Sequence, residues 1–264
     1  MEDRKYRAIR VGVDDAAVAT ITLNVPERKN PLGPEMVNEL LWALDDARDD
    51  TAVRVVVLTG AGKAFSAGGD LKALSGGGAD AGEALALKGD YVDLLLRFRS
   101  LGKPTIARIP GVAMGGGLGL VASCDFAVAC ESAVLGTPEI KRGLFPMMIM
   151  AVLGRVVPRR KLMRMMLLGE KLSAAQALEH GLISDVAPDD ALDDAVAALA
   201  TKLAAQSPTA LRMGLAAFHE QADRALEDAL PYLRDQLFAI LGTEDAREGL
   251  MAFLEKRAPH WTGK

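Results

Sequence analysis

The spacing of apolar positions separates two kinds of element along the chain. Val18–Leu23 alternates (Val-Ala-Thr-Ile-Thr-Leu) and is rich in β-branched residues, which predicts a strand. Pro34 then opens a stretch in which Val37, Leu40, Leu41 and Leu44 recur at helical spacing and share one face. Residues 53–58 are nearly continuous apolar, the pattern of a strand covered on both faces, and Gly60-Ala61-Gly62 stops them. Residues 85–98 have helical period, Lys103-Pro104 breaks it, and Thr105–Ile109 reads as the next strand. A short helix over 118–124 and a strand over 126–129 follow. Strand and helix thus alternate through the first two thirds, which predicts an α/β fold with parallel pairing.

From Pro158 onward the pattern is almost all helix. Ser173 caps Ala174–Glu179, and Gly181 ends that helix. Residues 182–186 read as one more short strand; 189–203, 209–222, Leu226–Leu241 and 243–256 read as helices. The shift near Pro188 divides the chain into an α/β core, 1–188, and a helical region, 189–264. The low-complexity stretch Ser75-Gly76-Gly77-Gly78-Ala79-Asp80-Ala81-Gly82 has little to pack and reads as a mobile loop of the kind that covers sites.

Composition narrows the class. The 264 residues are half hydrophobic and a quarter charged, and 31 Lys+Arg against 35 Asp+Glu leave a net charge of −4. That excludes a disordered or collagen-like chain and argues against a nucleic-acid partner. The opening Met-Glu-Asp-Arg-Lys-Tyr-Arg lacks the apolar core of a signal peptide, and the apolar run Met147–Leu153 is too short to span a bilayer. Two cysteines, Cys124 and Cys130, cannot make a disulfide framework. The expectation is a cytoplasmic protein with no membrane partner.

Several familiar chemistries lack their residues. His180, His219 and His260 are scattered and form no HExxH pair, and the two cysteines lack a second pair for zinc, so no metal site is expected. In Gly115-Gly116-Gly117-Leu118-Gly119-Leu120 a leucine stands where a dinucleotide fingerprint needs its last glycine. Met147, Met148, Met150, Met163, Met165 and Met166 read as core and pocket lining.

Two segments remain, each placing small residues just after a predicted strand. One is Lys63-Ala64-Phe65-Ser66-Ala67-Gly68-Gly69-Asp70-Leu71. The other is Ile109-Pro110-Gly111-Val112-Ala113-Met114-Gly115-Gly116-Gly117-Leu118-Gly119. Glycines expose peptide N–H groups, and a glycine run that opens a helix gathers unpaired donors at the positive dipole end. Two such loops face to face would make an oxyanion hole from main-chain donors, although glycine-rich segments of this kind are more commonly just tight turns.

Phe65-Ser66-Ala67-Gly68-Gly69-Asp70-Leu71, Gly111-Val112-Ala113-Met114-Gly115-Gly116-Gly117, Cys124-Asp125 and Gly136-Thr137-Pro138-Glu139 together resemble the ordered motifs of the crotonase (enoyl-CoA hydratase/isomerase) family. Pro26-Glu27-Arg28-Lys29-Asn30-Pro31-Leu32 is similar to the family's early loop near the coenzyme. Leu168-Gly169-Glu170, Ser173-Ala174 and Ala252-Phe253-Leu254-Glu255-Lys256-Arg257 extend the likeness over nearly the whole chain. The ending through His260-Trp261 looks most like the branch of enoyl-CoA hydratase domain-containing proteins.

The resemblance implies an α/β spiral of repeated ββα units, with a C-terminal helical region that builds homotrimers, which pair into homohexamers. It implies a coenzyme A thioester substrate whose carbonyl oxygen is held by two backbone N–H groups, by position those of Ala67 and Gly116. It places Ser66, Gly68, Gly69, Asp70, Gly115, Gly119 and Met147 around the substrate. Arg28, Lys29 and Lys256 become candidates for the coenzyme phosphates, each also readable as a plain surface cation. Neither a metal nor a cofactor beyond the substrate's own coenzyme A is implied.

One departure bears on the reaction. Hydratases of the family use two glutamates, one shortly after the glycine run and one in the Pro-Glu pair; here those positions are Gly119 and Glu139. A single carboxylate suffices to carry a proton from C2 to C4, as in the family's Δ3–Δ2 enoyl-CoA isomerases, so the resemblance points to a double-bond shift with Glu139 as catalytic base. Met147, in place of the family's glycine, would put an apolar side chain where water sits. Hydration is the alternative, decarboxylation a more distant one, and a non-catalytic acyl-CoA-binding paralogue the rival of another class. Pro138-Glu139-Ile140 also reads simply as the start of a helical turn.

Overall fold

The computed structural model describes residues 4–70 and 85–264, so the glycine-rich stretch 75–82 lies outside the described residues. Two sheets form the scaffold. The larger has the order β1-β2-β3-β5-β7-β10, built from β1 (Ile9–Val13), β2 (Val18–Leu23), β3 (Val55–Gly60), β5 (Thr105–Ile109), β7 (Phe126–Cys130) and β10 (Asp185–Ala187). Only β1 is antiparallel to its neighbour; the other pairs are parallel. The smaller sheet, β4-β6-β8-β9, consists of three-residue strands: β4 (Ala64–Ser66), β6 (Val112–Met114), β8 (Val134–Gly136) and β9 (Lys171–Ser173). β4, β6 and β8 are parallel and follow β3, β5 and β7 in turn. Each turn of the chain therefore gives one strand to each sheet, a spiral of repeated strand–strand–helix units.

Packing follows from the apolar patterns. All six residues of β3 are buried, as a central parallel strand requires. Helix α1 (Pro34–Asp49) covers β1 and β2, with Leu40, Leu41, Ala43 and Leu44 in the core. Its buried Glu39 accepts hydrogen bonds from the N–H groups of Arg7, Ala8 and Ile9 at 2.8, 2.8 and 3.1 Å, fixing the start of β1. Helices α2 (Tyr91–Ser100), α3 (Gly116–Ser123) and α4 (Met147–Leu153) pack in series beside the small sheet. After α5 (Arg159–Leu168) and α6 (Ala174–Glu179), α7 (Leu192–Ala204) lies on β3, β5 and β7. Three further helices, α8 (Pro208–Gln221), α9 (Leu226–Leu241) and α10 (Glu244–Glu255), pack on one another.

The structure corrects the sequence reading in specific places. The helix expected over 85–98 begins only at Tyr91. Asn38 and Trp42 of α1 hold the carbonyls of Leu85 and Ala86, and Asn38 Oδ1 accepts from Lys88 N–H at 2.7 Å, so the segment before Asp90 spends its backbone groups on α1. Asp90 then caps α2 in a reciprocal box with Asp93. The strands of the small sheet were not foreseen, nor was β1, whose only buried residue is Ile9. The methionines divide: Met165 and Met166 are core, whereas Met147, Met148 and Met150 are exposed and do not serve as core packing within one chain.

Candidate active site

Parallel strands end on the same side of a sheet, and β4, β6 and β8 deliver three loops to one edge. After β4 come Ala67, Gly68, Gly69 and Asp70; after β6, Gly115 and the start of α3; after β8, Thr137, Pro138 and Glu139. Gly115 N–H donates to Gly136 O at 3.0 Å, which continues the β6–β8 ladder and brings the last two loops into contact. The Gly68 loop closes from the other side: a Cβ at Gly68 (φ +97°) would lie 2.8 Å from Met114 O and 3.4 Å from Gly116 N.

Inside this cluster the expected oxyanion donors need correction. Ala67 N–H donates to Lys29 O at 2.8 Å and is therefore committed within the fold. Gly68 N–H donates to Ser66 Oγ at 3.1 Å, and Ser66 Oγ donates to Asn30 O at 2.7 Å. Ser66, expected to touch substrate, is fully buried and uses its hydroxyl inside the loop. Among the described residues no acceptor takes the N–H of Gly69 or of Gly116, the latter at the first position of α3, where no intrahelical partner exists. Gly69 and Gly116 thus each offer this loop cluster an N–H that no acceptor among the described residues takes.

Glu139 lies in a 3₁₀ helix, Pro138–Arg142, as the helical-turn reading of Pro138-Glu139-Ile140 expects. Its Oε1 would be only 2.9 Å from a Cβ at Gly115, and Gly115 has φ +51°, which is why that position is glycine. Oε2 is buried with no hydrogen-bond partner among the described residues. Burial raises the Glu139 carboxyl above the usual glutamate value, against smaller opposing effects from its own N–H and the Arg142 cation. A carboxylate in that state is a better proton acceptor than an ordinary surface glutamate.

Position 119 is not open to substrate. Gly119 is buried, and a Cβ there would overlap the Tyr91 hydroxyl and the Ile149 side chain. Tyr91 donates to Gly116 O at 2.5 Å, and burial, followed by the nearby Glu139 charge, pushes its phenol up so that it stays protonated. Sequence reasoning missed Tyr91 because nothing in the spacing of residues 91 and 119 links them; only the packing of α2 on α3 does.

The cations also sort themselves. Arg28 pairs with both oxygens of Asp70 at 2.8 Å, at the rim of the loop cluster, which ties together two residues expected to meet substrate separately. Lys29 is exposed in the same loop. Lys256 ends α10 in a left-handed cap, and no hydrogen bond or ion pair among the described residues links it to these loops. Met147, at the start of α4, is 63% exposed and donates its N–H to Phe145 O at 2.8 Å. The Cys124-Asp125 pair is architectural: Asp125 Oδ2 accepts from Thr105 N–H and Oγ–H at 2.8 and 2.7 Å, tying the α3–β7 turn to β5.

A spiral α/β scaffold that brings peptide donors without acceptors among the described residues close to a half-buried carboxylate has the parts needed to hold a carbonyl oxygen and move a proton beside it. Residues 14–264 match the family model described as enoyl-CoA hydratase/isomerase, and the chain belongs to that family of acyl-CoA enzymes. It is 37% identical over 249 residues to the 2,3-dehydroadipyl-CoA hydratase of Escherichia coli, covering 94% of this chain and 96% of the relative. It is 34% identical over 260 residues to the mitochondrial enoyl-CoA hydratase domain-containing protein 3 of Xenopus laevis, covering 98% and 87%. The crystal structure of enoyl-CoA hydratase from Mycobacterium smegmatis superposes with a TM-score of 0.88 at 34% identity, covering 97% of this chain and 99% of that one.

Proposed function

We propose that this protein shifts the double bond of an enoyl-CoA thioester. In this reading Gly69 and Gly116 N–H hold the thioester oxygen, and Glu139 takes a proton from one carbon of the acyl chain and returns it to another. The observation that carries it is the site's composition around position 119: a glycine whose side-chain space belongs to Tyr91 and Ile149, which leaves Glu139 beside the glycine loops, its Oε2 without a partner among the described residues while Asp70 is paired with Arg28. The two donors bind the enolate oxygen more strongly than the ground-state carbonyl, which is the condition for accelerating proton removal. Arg28 and Lys29, at the loop rim, are the candidates for the coenzyme phosphates.

Hydration is the second reading, favoured by the names of relatives such as the Escherichia coli hydratase. It requires the one carboxylate to serve both water and C2. The test is to give the protein matched 3-enoyl- and 2-enoyl-CoA substrates and to follow migration and 3-hydroxyacyl-CoA formation separately. Migration exceeding hydration supports the isomerase reading; hydration of the 2-enoyl-CoA at an equal or greater rate overturns it. We also propose that the chain assembles as a homotrimer, alone or paired into a hexamer, through α8–α10, whose outer positions Leu230, Leu237, Phe238 and Leu241 are exposed in the single chain.

A further inference from the structure

The first turn of α3 is unusual in what holds it. It contains Gly116, Gly117 and Gly119, follows Gly115, and has no side-chain N-cap. Glycines give up more backbone freedom on ordering than any other residue, so such a turn needs an external anchor. Tyr91 supplies one. Its ring sits at the first position of α2, which the Asp90–Asp93 capping box fixes, while Asn38 and Trp42 of α1 hold the chain just before it. The hydroxyl then reaches across to Gly116 O at 2.5 Å, and lies 3.5 Å from where a Cβ at Gly116 would stand.

We propose that Tyr91 is the positioning residue of the oxyanion site: its hydroxyl pins the glycine-built first turn of α3, so that Gly116 N–H stays aimed alongside Gly69 N–H. The same hydroxyl fills the volume that a carboxylate at position 119 would need. This rests on the reading of Gly69 and Gly116 as the oxyanion donors. Main-chain donors stabilise developing charge only when held within about 0.5 Å of the productive geometry, and a peptide on a glycine run does not hold itself that closely. Being protonated and already donating to a carbonyl, the phenol does not act as a base toward water.

Tyr91→Phe tests the idea, because it keeps the ring and removes only the bond to Gly116. Two readouts are needed. One is turnover of the enoyl-CoA; the other is the red shift in absorption of a conjugated aryl-enoyl-CoA on binding, which reports polarisation of its carbonyl without any reaction. Tyr91→Phe should lower kcat by about tenfold, less than loss of a donor itself, with KM within about twofold and a reduced red shift. Glu139→Gln should lose turnover and keep the shift. Ile149→Val, which loosens packing at the same place, should leave the shift intact at a temperature where all variants are folded. Wild-type kcat and red shift in Tyr91→Phe would overturn the proposal, as would an equal loss of shift in Ile149→Val or the absence of any shift in the wild type. If the wild type turns over no enoyl-CoA, the proposed function fails while the absorption measurement still decides the role of Tyr91.

Discussion

Glu139 is the residue on which the proposed reaction turns. Its carboxylate rests against Gly115 with one oxygen unpartnered among the described residues. Replacing it with Gln keeps the shape and removes the base, so turnover is expected to fall about 10²–10⁴-fold while thioester binding persists, as steady-state kinetics and calorimetric titration would show. Its pH behaviour follows from burial. Desolvation raises its pKa, so the carboxylate required as base is lost as pH falls through a value above that of an ordinary glutamate. The acid limb of kcat/KM should therefore lie above the usual glutamate range; a limb at or below it would show that another group titrates. Ala67 illustrates the opposite case: it sits within the motif, yet its N–H is spent on Lys29 O, while the N–H of Gly69 meets no acceptor among the described residues.

At the level of elements, the three-residue strands of the small sheet matter most, because their common direction gathers the site loops. Helix α3 shows how tightly the surroundings are closed. A glutamate at position 119 would have to displace the Tyr91 hydroxyl and Ile149. Gly119→Glu should consequently destabilise the protein by about 1–3 kcal/mol, through overpacking, and gain no 3-hydroxyacyl-CoA formation. Thermal melts and a hydration assay on the same preparation check both halves. Substantial hydration by a fully stable variant would mean that α2 or α4 yields more easily than their packing indicates.

For the whole molecule, the outstanding feature is the apolar surface of the last three helices. Phe238, on α9, is 64% exposed and Phe253, on α10, is 80% exposed, while Leu233, Leu237 and Ile240 line a groove between α8 and α9. Sedimentation at micromolar concentration should give a trimer or hexamer, and Leu237→Asp with Phe238→Asp should shift it toward the monomer. A wild-type monomer would contradict the assembly. Among the described residues no helix is long and apolar enough to cross a membrane.

The alternation of strand and helix, the strands β2 and β5 and the tail helices were all legible in the sequence, and the family resemblance singled out Glu139 as the candidate base. Periodicity reports elements long enough to repeat a pattern, and the glycine and Pro-Glu motifs are local in the chain. Leu226–Leu241 could be bounded to the residue for that reason. Tertiary structure alone decided the rest. Three-residue strands such as Ala64–Ser66 and Val112–Met114 are too short to show a period and exist because neighbours pair with them. Which N–H in Ala67-Gly68-Gly69 is left over depends on whether Lys29 O and Ser66 Oγ are within reach, a fact of folding rather than of spacing. Tyr91 and Gly119, 28 positions apart, became one feature of the site only when α2 packed against α3.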